Sequence, residues 1–287
     1  MSIVSLLFHD VFASDPGESG FRSPAADRYK LSIPDFEAQL DGLADARVET
    51  PFLASAFVTP APRDKRIPDP GSRIPALITF DDGGESYYTA TADRLEARGW
   101  RGHCFVTTDF IGQRGFLTAA QIRELDARGH LIGSHSASHP ARFSALTTGE
   151  MLREWAESRQ ALEDLLGRAV TVASVPGGSF SRSVASVAAE CGFRVLFTSE
   201  PTSKMASADA CAVIGRYTIR RGHAPDMAQR FVMTSPWTRC GAWAGWNAKA
   251  IVKPLLGRSY SRIADWLMAS PRLRPGRAKN LAGHGHG

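Results

Sequence analysis

Apolar and polar positions divide the 287-residue chain into short, nearly unbroken apolar runs and longer amphipathic stretches. Residues 3–8 form a short apolar run ending in His9-Asp10, the pattern of a buried strand. Residues 11–30 are rich in Gly, Pro, Ser and Asp and read as loop. Ser32 suits a helix N-cap with Asp35 three residues on, and Phe36, Leu40 and Leu43 follow at helical spacing. Residues 60–75 hold five prolines and mixed charges and read as a surface connection.

From Pro75 the pattern becomes an alternation. Residues 76–80, 103–107, 131–134, 170–175, 195–198 and 213–219 read as strands. Residues 85–98, 118–128, 148–166 and 181–191 read as helices, closed by Gly99, Gly129, Gly167 and Gly192. Repeated β–α units imply a parallel sheet covered by helices. Seven strands in this order predict an α/β fold, a closed or nearly closed (β/α)7–8 barrel. Catalytic groups on such a fold gather at the C-terminal strand ends.

Composition narrows the class. Hydrophobic residues make up 43% and charged residues 22%, which is ordinary for a globular chain and excludes disorder, collagen and a disulfide-stapled miniprotein. The net charge of +5 suggests nucleic acid until its distribution is read. From Lys249 to the end there are eight Lys/Arg and one acid, Asp265, and the rest of the chain carries −2. A basic nucleic-acid groove in the main domain is therefore not expected. Cys104, Cys191, Cys211 and Cys240 form no C-x-x-C pair; Cys104 and Cys191 lie in apolar stretches and read as small buried hydrophobes. No apolar run approaches a membrane span, and residues 1–10 lack the charged flank and cleavage site of a signal peptide, so the reading is a cytoplasmic protein, with membrane association left open.

The strand ends carry the chemistry. His9-Asp10, Asp81-Asp82, His135 with His139, and Pro176-Gly177-Gly178 each follow a predicted strand. Two adjacent carboxylates are expensive to bury without a counter-charge, and a divalent metal supplies one. Gly83-Gly84 lets the backbone turn so that neighbouring side chains approach one site from different directions. Two imidazoles at i and i+4 with one carboxylate make a His₂Asp set that leaves positions open for water and substrate. Taken singly, the Asp pair also suits a helix N-cap and the His pair a polar loop; together, on successive strand ends, they point to a metal site. The spacing leaves open which Asp binds metal and which acts as base.

Thr79-Phe80-Asp81-Asp82-Gly83 and Gly133-Ser134-His135-Ser136-Ala137-Ser138-His139-Pro140 resemble the first two motifs of the polysaccharide deacetylases, carbohydrate esterase family 4. The resemblance covers roughly residues 3–220. It implies a distorted barrel of that family's type and metal-dependent removal of N-acetyl or O-acetyl groups from sugars. It implies Asp81 as general base and Asp82, His135 and His139 as metal ligands, with zinc expected and cobalt, nickel or iron also suited to the donors. The family's third motif, Arg-x-Pro-x-Gly, reads here Ser174-Val175-Pro176-Gly177-Gly178, without its arginine; Arg216, after a later strand, is the candidate replacement. No Leu-x-His motif is found, and His223 reads as a loop residue. Leu6-Leu7-Phe8-His9-Asp10 resembles instead the N-terminal element of the permuted branch typified by poly-N-acetylglucosamine deacetylases, which implies His9 as the catalytic acid. The turn at Pro176-Gly177-Gly178 would offer a backbone N–H to an oxyanion.

The remaining sequence gives expectations of its own. The loop leaving the first strand is expected over the barrel mouth as part of an insertion spanning 11–74, with Asp15, Glu18, Arg22, Arg28 and Tyr29 as candidates for shaping specificity. Residues 1–235 would be the catalytic barrel and 236–287 a basic C-terminal segment holding Trp237, Trp243, Trp246 and Trp266. Leu256, Tyr260, Ile263 and Leu267 keep helical spacing with Arg258 and Arg262 between them, which suits either a helix docked on the barrel or peripheral contact with anionic lipid. The leading reading is a deacetylase of an acetylated saccharide, a polymer or a lipid-linked oligosaccharide. Two others compete: a metal-dependent hydrolase of a small amide or formyl group, and a catalytically degenerate saccharide-binding barrel.

Overall fold

In this computed structural model, residues 3–50, 74–233 and 236–256 are described. The chain divides into two compact units, the first ending at Trp243 and the second beginning at Ala244. Of the expected connection at 60–75, residues 60–73 lie outside the described residues and the last two open a strand; the helical pattern beyond 256 also lies outside them.

Strand β1 (Val4–Phe8) is wholly buried. Its neighbour in the chain, β2 (Val11–Phe12), pairs in parallel with β3 (Leu31–Ser32) as a small separate ladder. Helix α1 (Ile33–Asp45) starts where its sequence says it should: the Ser32 hydroxyl accepts from the Asp35 N–H, and Phe36, Leu40 and Leu43 face the core. Then come β4 (Val48–Glu49) and β5 (Ile74–Phe80), which pair in parallel at the start of β5.

The stretch read as one helix over 85–98 is two. A π-helical turn over Tyr87–Thr91 leads into the short α2 (Ala92–Glu96). The wider turn carries the buried Tyr87, whose hydroxyl lies 2.7 Å from His130 Nδ1. Next are β6 (His103–Val106), α3 (Ala119–Ala127), β7 (Leu131–Ser134), α4 (Thr148–Leu166), β8 (Val172–Ser174), α5 (Arg182–Glu190) and β9 (Val195–Phe197). Thr118 and Thr147 close capping boxes with Gln121 and Glu150 at the starts of α3 and α4.

A short strand with no counterpart in the hydropathy pattern, β10 (Met205–Ala208), pairs antiparallel with β11 (Cys211–Ile214). The predicted strand over 213–219 is broken: β11 stops at Ile214, Gly215-Arg216 leave the ladder, and β12 (Tyr217–Thr218) resumes beside β1. Helices α6 (Met227–Val232) and α7 (Pro236–Leu256) follow.

The main sheet runs β10-β11-β9-β8-β7-β6-β5-β1-β12, with β4 on β5, and every pairing but β10–β11 is parallel. The order is open: it starts at β10 and ends at β12. The barrel is therefore a curled, incompletely closed one. Its core is split in two. Leu77, Phe105, Leu131, Val172, Val195, Phe197 and Ile214 form a small cluster. Leu6, Phe8, Ile78, Phe80, Leu95, Ile122, Trp155 and Phe193 belong to the larger one, which also takes in the helices. Cys104 and Cys211 are buried, Cys240 is exposed, and Cys191, expected inside, is only half-buried at the C-cap of α5.

Candidate functional site

Strands β11, β8, β7, β5 and β1 point their C-terminal ends the same way, and each is followed by part of one cluster. Backbone bonds fix the register there: the Asp81 N–H donates to Phe8 O at 3.2 Å and the His135 N–H to Val106 O at 2.8 Å. Past the strand ends the chain takes unusual conformations. Asp82, Ser136 and His139 have φ of 76°, 65° and 59°. A left-handed backbone costs a non-glycine residue roughly 1–2 kcal/mol, so three such residues around one site mark a shape that the surroundings impose. The i, i+4 spacing of the histidines therefore works through a left-handed loop rather than a helical turn.

The result is a compact donor set. Asp82 Oδ1 lies 3.4 Å from His135 Nε2 and 3.4 Å from His139 Nε2. One ligand atom from each of the three residues falls within 4.8 Å of the others. Four ligands placed tetrahedrally around zinc at its usual ~2.0–2.1 Å bond lengths stand about 3.3–3.4 Å apart, so the spacing suits an ion. His135 Nδ1–H donates to Ser174 O at 2.9 Å, which turns Nε2 toward the carboxylates, as a donor to Asp82 in the metal-free site and as a lone pair once an ion displaces that proton. Burial alone would raise the Asp82 carboxyl, but hydrogen bonding to His135 and His139 outweighs it and holds the group well below the usual carboxylate range. Burial likewise depresses His139, and Asp82 reverses this, leaving its pKa raised.

Asp81 points to a different partner. The fully buried Arg216 grips it with two bonds, Nη1 to Oδ1 and Nη2 to Oδ2, both 2.7 Å. Its other three N–H groups are also used: Nε donates to Thr198 O at 3.0 Å, Nη1 to Thr79 Oγ1 at 3.2 Å and Nη2 to Ser174 Oγ at 2.7 Å. Phe105 and Phe197 lie beneath the guanidinium, their ring centroids 5.8 and 5.6 Å from its carbon. Burial pushes the Asp81 carboxyl up; Arg216 and then His135 more than cancel that and hold it below its ordinary value. Ser174 stands where the motif's arginine was missed in the sequence, and its small hydroxyl accepts from the arginine that arrives from the other side. The break between β11 and β12 is what turns Arg216 inward. Gly215 is required there, since a Cβ would run into Glu200 O and Thr202.

His9 follows β1 and is half-buried, with Nδ1 enclosed and unpartnered among the described residues. Burial lowers its pKa, against the pull of Asp82 and Asp81. Pro176-Gly177-Gly178 make a 3-10 turn directly after β8, with Gly177 and Gly178 at φ 59° and 66°; only the two glycines carry an N–H. His223 lies in the turn after β12, its Nδ1 accepting from Arg220 N–H at 3.4 Å.

Three further groups hold the site; of these, Glu154 and Phe21 carried no sequence signal, and Asp10 was marked only by its place after the first strand. Glu154 on α4 accepts from the Ala137 and Ser138 N–H groups at 3.0 and 2.9 Å and from Ser138 Oγ at 2.6 Å, tying down the loop between the histidines. Asp10 accepts from Ser19 Oγ at 2.6 Å and Ser86 Oγ at 2.7 Å, joining the loop after β2 to the turn after Asp82. Phe21 in that loop packs on His139 with ring centroids 4.8 Å apart. Of the loop residues singled out beforehand, Tyr29 reaches the site. Asp15 and Glu18 instead cap each other's turn, and they line an open polar cleft of about 810 Å³ with Arg22, Asp27, Glu85 and Arg114.

Comparison with known proteins adds the lineage. The polysaccharide deacetylase family model matches residues 69–196. The YxkH protein of Bacillus subtilis (strain 168) is 29% identical over 175 residues, 60% of this chain and 60% of that protein, so the chain spans about three-fifths of that relative's length. Among solved structures, the Streptococcus pyogenes deacetylase PplD, solved in complex with acetate, superposes with a TM-score of 0.65 at 18% identity, covering 81% of this chain and 98% of that one. IcaB from Ammonifex degensii superposes with a TM-score of 0.63 at 23% identity, covering 83% and 97%. These structural likenesses establish the barrel fold.

Proposed function

The chain belongs to the polysaccharide deacetylase family, and on that premise we propose that it is a metal-dependent hydrolase removing acetyl groups, N-acetyl foremost, from an oligo- or polysaccharide. One observation carries the reading: a two-His, one-Asp donor set stands beside a second carboxylate that is gripped by a buried arginine and is no part of the donor set. A binding barrel has no use for a pinned base at that place.

Asp82, His135 and His139 would hold a divalent ion, zinc by its donors and spacing, with cobalt, nickel or iron as alternatives. Such an ion supplies Lewis acidity and makes water a nucleophile near neutral pH. Asp81 accepts the proton of the attacking water. Its lowered pKa keeps it ionised, and the two bonds from Arg216 fix which lone pairs face the substrate. The turn after β8 would offer one backbone N–H to the developing oxyanion, that of Gly177, since the Gly178 N–H donates to Val175 O at 3.4 Å. His9 delivers the proton to the leaving nitrogen; burial, which lowers its pKa, makes the protonated ring a stronger acid.

The test is acetate release from a panel of N-acetylated oligosaccharides, O-acetylated sugars and small amides, with and without a chelator. Chelator-sensitive release from the saccharides supports the reading. Release from small amides alone moves the substrate to that class, and release from none of them leaves a saccharide-binding barrel.

The proposal extends to a second surface. Trp237 and Trp243 on α7 are 87% and 53% exposed, and the chain beyond them is strongly basic. No helix among the described residues is long and apolar enough to cross a membrane. This combination suits peripheral contact with an anionic bilayer. Sedimentation with phosphatidylglycerol vesicles at low salt should exceed that with phosphatidylcholine, and Trp237→Glu should abolish the difference; equal sedimentation with both lipids removes the idea.

A further inference from the structure

A proton-donating histidine must hold its ring at one angle, and in proteins a hydrogen bond to the second nitrogen usually sets that angle. His9 has none: its Nδ1 is buried without a partner among the described residues. What touches the ring is Tyr29, with centroids 4.9 Å apart and planes tilted by 38°.

Tyr29 is itself held from several sides. It closes a 3-10 turn (Ala26–Tyr29) in the loop that leaves β2. After it, the Leu31 N–H donates to Asp10 O at 3.0 Å, beside His9. Lys30, buried, donates from Nζ to Pro16 O and Phe21 O at 2.6 and 2.7 Å, so the loop is folded on itself around a cation. From the other side, the chain after β12 runs beside β1, with the Ile219 N–H donating to Leu7 O at 2.8 Å and the Arg221 N–H to Arg28 O at 3.0 Å. That run places the Arg220 guanidinium 5.4 Å from the Tyr29 ring centroid, within cation–π range. Arg220 Nε is buried with no hydrogen-bond partner among the described residues, which leaves the aromatic face as a contact of that cation. Arg220, Tyr29 and His9 thus make a continuous chain of contacts from a strand end to the site.

We propose that Tyr29, held by Arg220, is the positioning residue for His9: ring packing takes the place of the missing hydrogen bond. The proposal rests on the reading of His9 as the acid. In that step the C–N bond of the tetrahedral adduct breaks, its electron pair goes to nitrogen, and the His9 proton forms the new N–H bond as acetate departs. An amine leaves only with that proton; a p-nitrophenolate leaves without it.

The experiment compares acetate release from N-acetylglucosamine oligomers with hydrolysis of p-nitrophenyl acetate, using the full chain loaded with metal. His9→Ala should slow the amide by about 10²-fold or more, the usual contribution of a general acid, and slow the aryl ester far less, because that leaving group needs no proton. Tyr29→Ala should show the same selectivity, with an amide loss of about tenfold or more, as small misplacements of a reacting group cost. Its metal content should be unchanged, and Tyr29→Phe should restore the rate. In a His9→Ala background, Tyr29→Ala should do nothing further. A Tyr29→Ala variant that slows both substrates alike, or that slows the amide as much without His9 as with it, overturns the proposal and leaves the acid reading intact. A His9→Ala variant that hydrolyses the amide at the full rate removes the acid reading itself.

Discussion

Replacing Arg216 with Met removes five N–H groups from a place where every one has a partner. The apolar part of the packing survives, because Met fills much of the same volume between Phe105 and Phe197. What is lost is the counter-charge of a carboxylate that is itself buried. Breaking one side of a buried ion pair costs roughly 3–5 kcal/mol. For a domain of this size 1 kcal/mol moves Tm by about 2–4 °C, so the variant should melt roughly 6–20 °C lower. The pH dependence gives the cause. In the wild type the folded pKa of Asp81 is lowered, so its stabilisation is present above the unfolded value, ~3.9, and is lost as pH falls through the folded one. Without Arg216 burial dominates, and the carboxyl is pushed up instead. The penalty should then be complete at pH 7.5 and shrink as acid neutralises Asp81. Thermal melts of the metal-free proteins at several pH values read this directly, with the double variant Arg216→Met/Asp81→Asn as control. Removing both charges should recover part of the loss. A deficit that does not change with pH, or a double variant as unstable as the sum of the single ones, would refute the electrostatic account and leave Arg216 as a space-filling residue.

Asp10 behaves oppositely. Burial, opposed by the Ser19 and Ser86 hydroxyls, pushes its carboxyl up to about 6, so the native state is disfavoured as pH rises from the unfolded value through that range. The Tm of Asp10→Asn minus that of the wild type should therefore grow between pH 4.5 and 7; a constant difference would show that Asp10 does not ionise there. Glu154→Ala frees the loop between the histidines and should weaken metal affinity by about 10–100-fold, as for lost outer-shell partners, measured by competition with a chromogenic chelator. Gly215→Ala sets a methyl against Glu200 O and should lower both Tm and turnover, since the Arg216 backbone must shift; unchanged turnover would mean that the guanidinium tolerates the move.

The strand ends were legible because apolar runs and polar ends are local. His9, Asp81, Asp82, His135 and His139 each follow a run that the hydropathy pattern marks by itself, and a parallel sheet does the rest. Arg216 was half legible. The absent arginine at Ser174 showed that a cation was wanted, yet only a fold that breaks the predicted strand at Gly215 brings one in, across 135 positions from Asp81. The break leaves no periodic trace, because residues on both sides are equally apolar. The π-turn at Tyr87 was hidden for a similar reason: the side chain it buries meets His130, far along the chain. Asp10 and Tyr29 were marked by position but not by partner, and Glu154 not at all: each acts by hydrogen bonds or ring packing to another segment, and a lone acidic or aromatic residue in a sequence does not announce such a partner.

The central claim is that Asp81 is a base set beside a metal ligand and not a ligand itself. Asp81→Asn keeps the shape and gives up the proton acceptor. Metal content and acetate release, measured on the same preparation of Asp81→Asn, decide it. The account predicts a full complement of metal with turnover reduced by about 10²-fold or more. An Asp81→Asn protein that releases acetate at the wild-type rate, or that loses its metal as Asp82→Asn should, would contradict it.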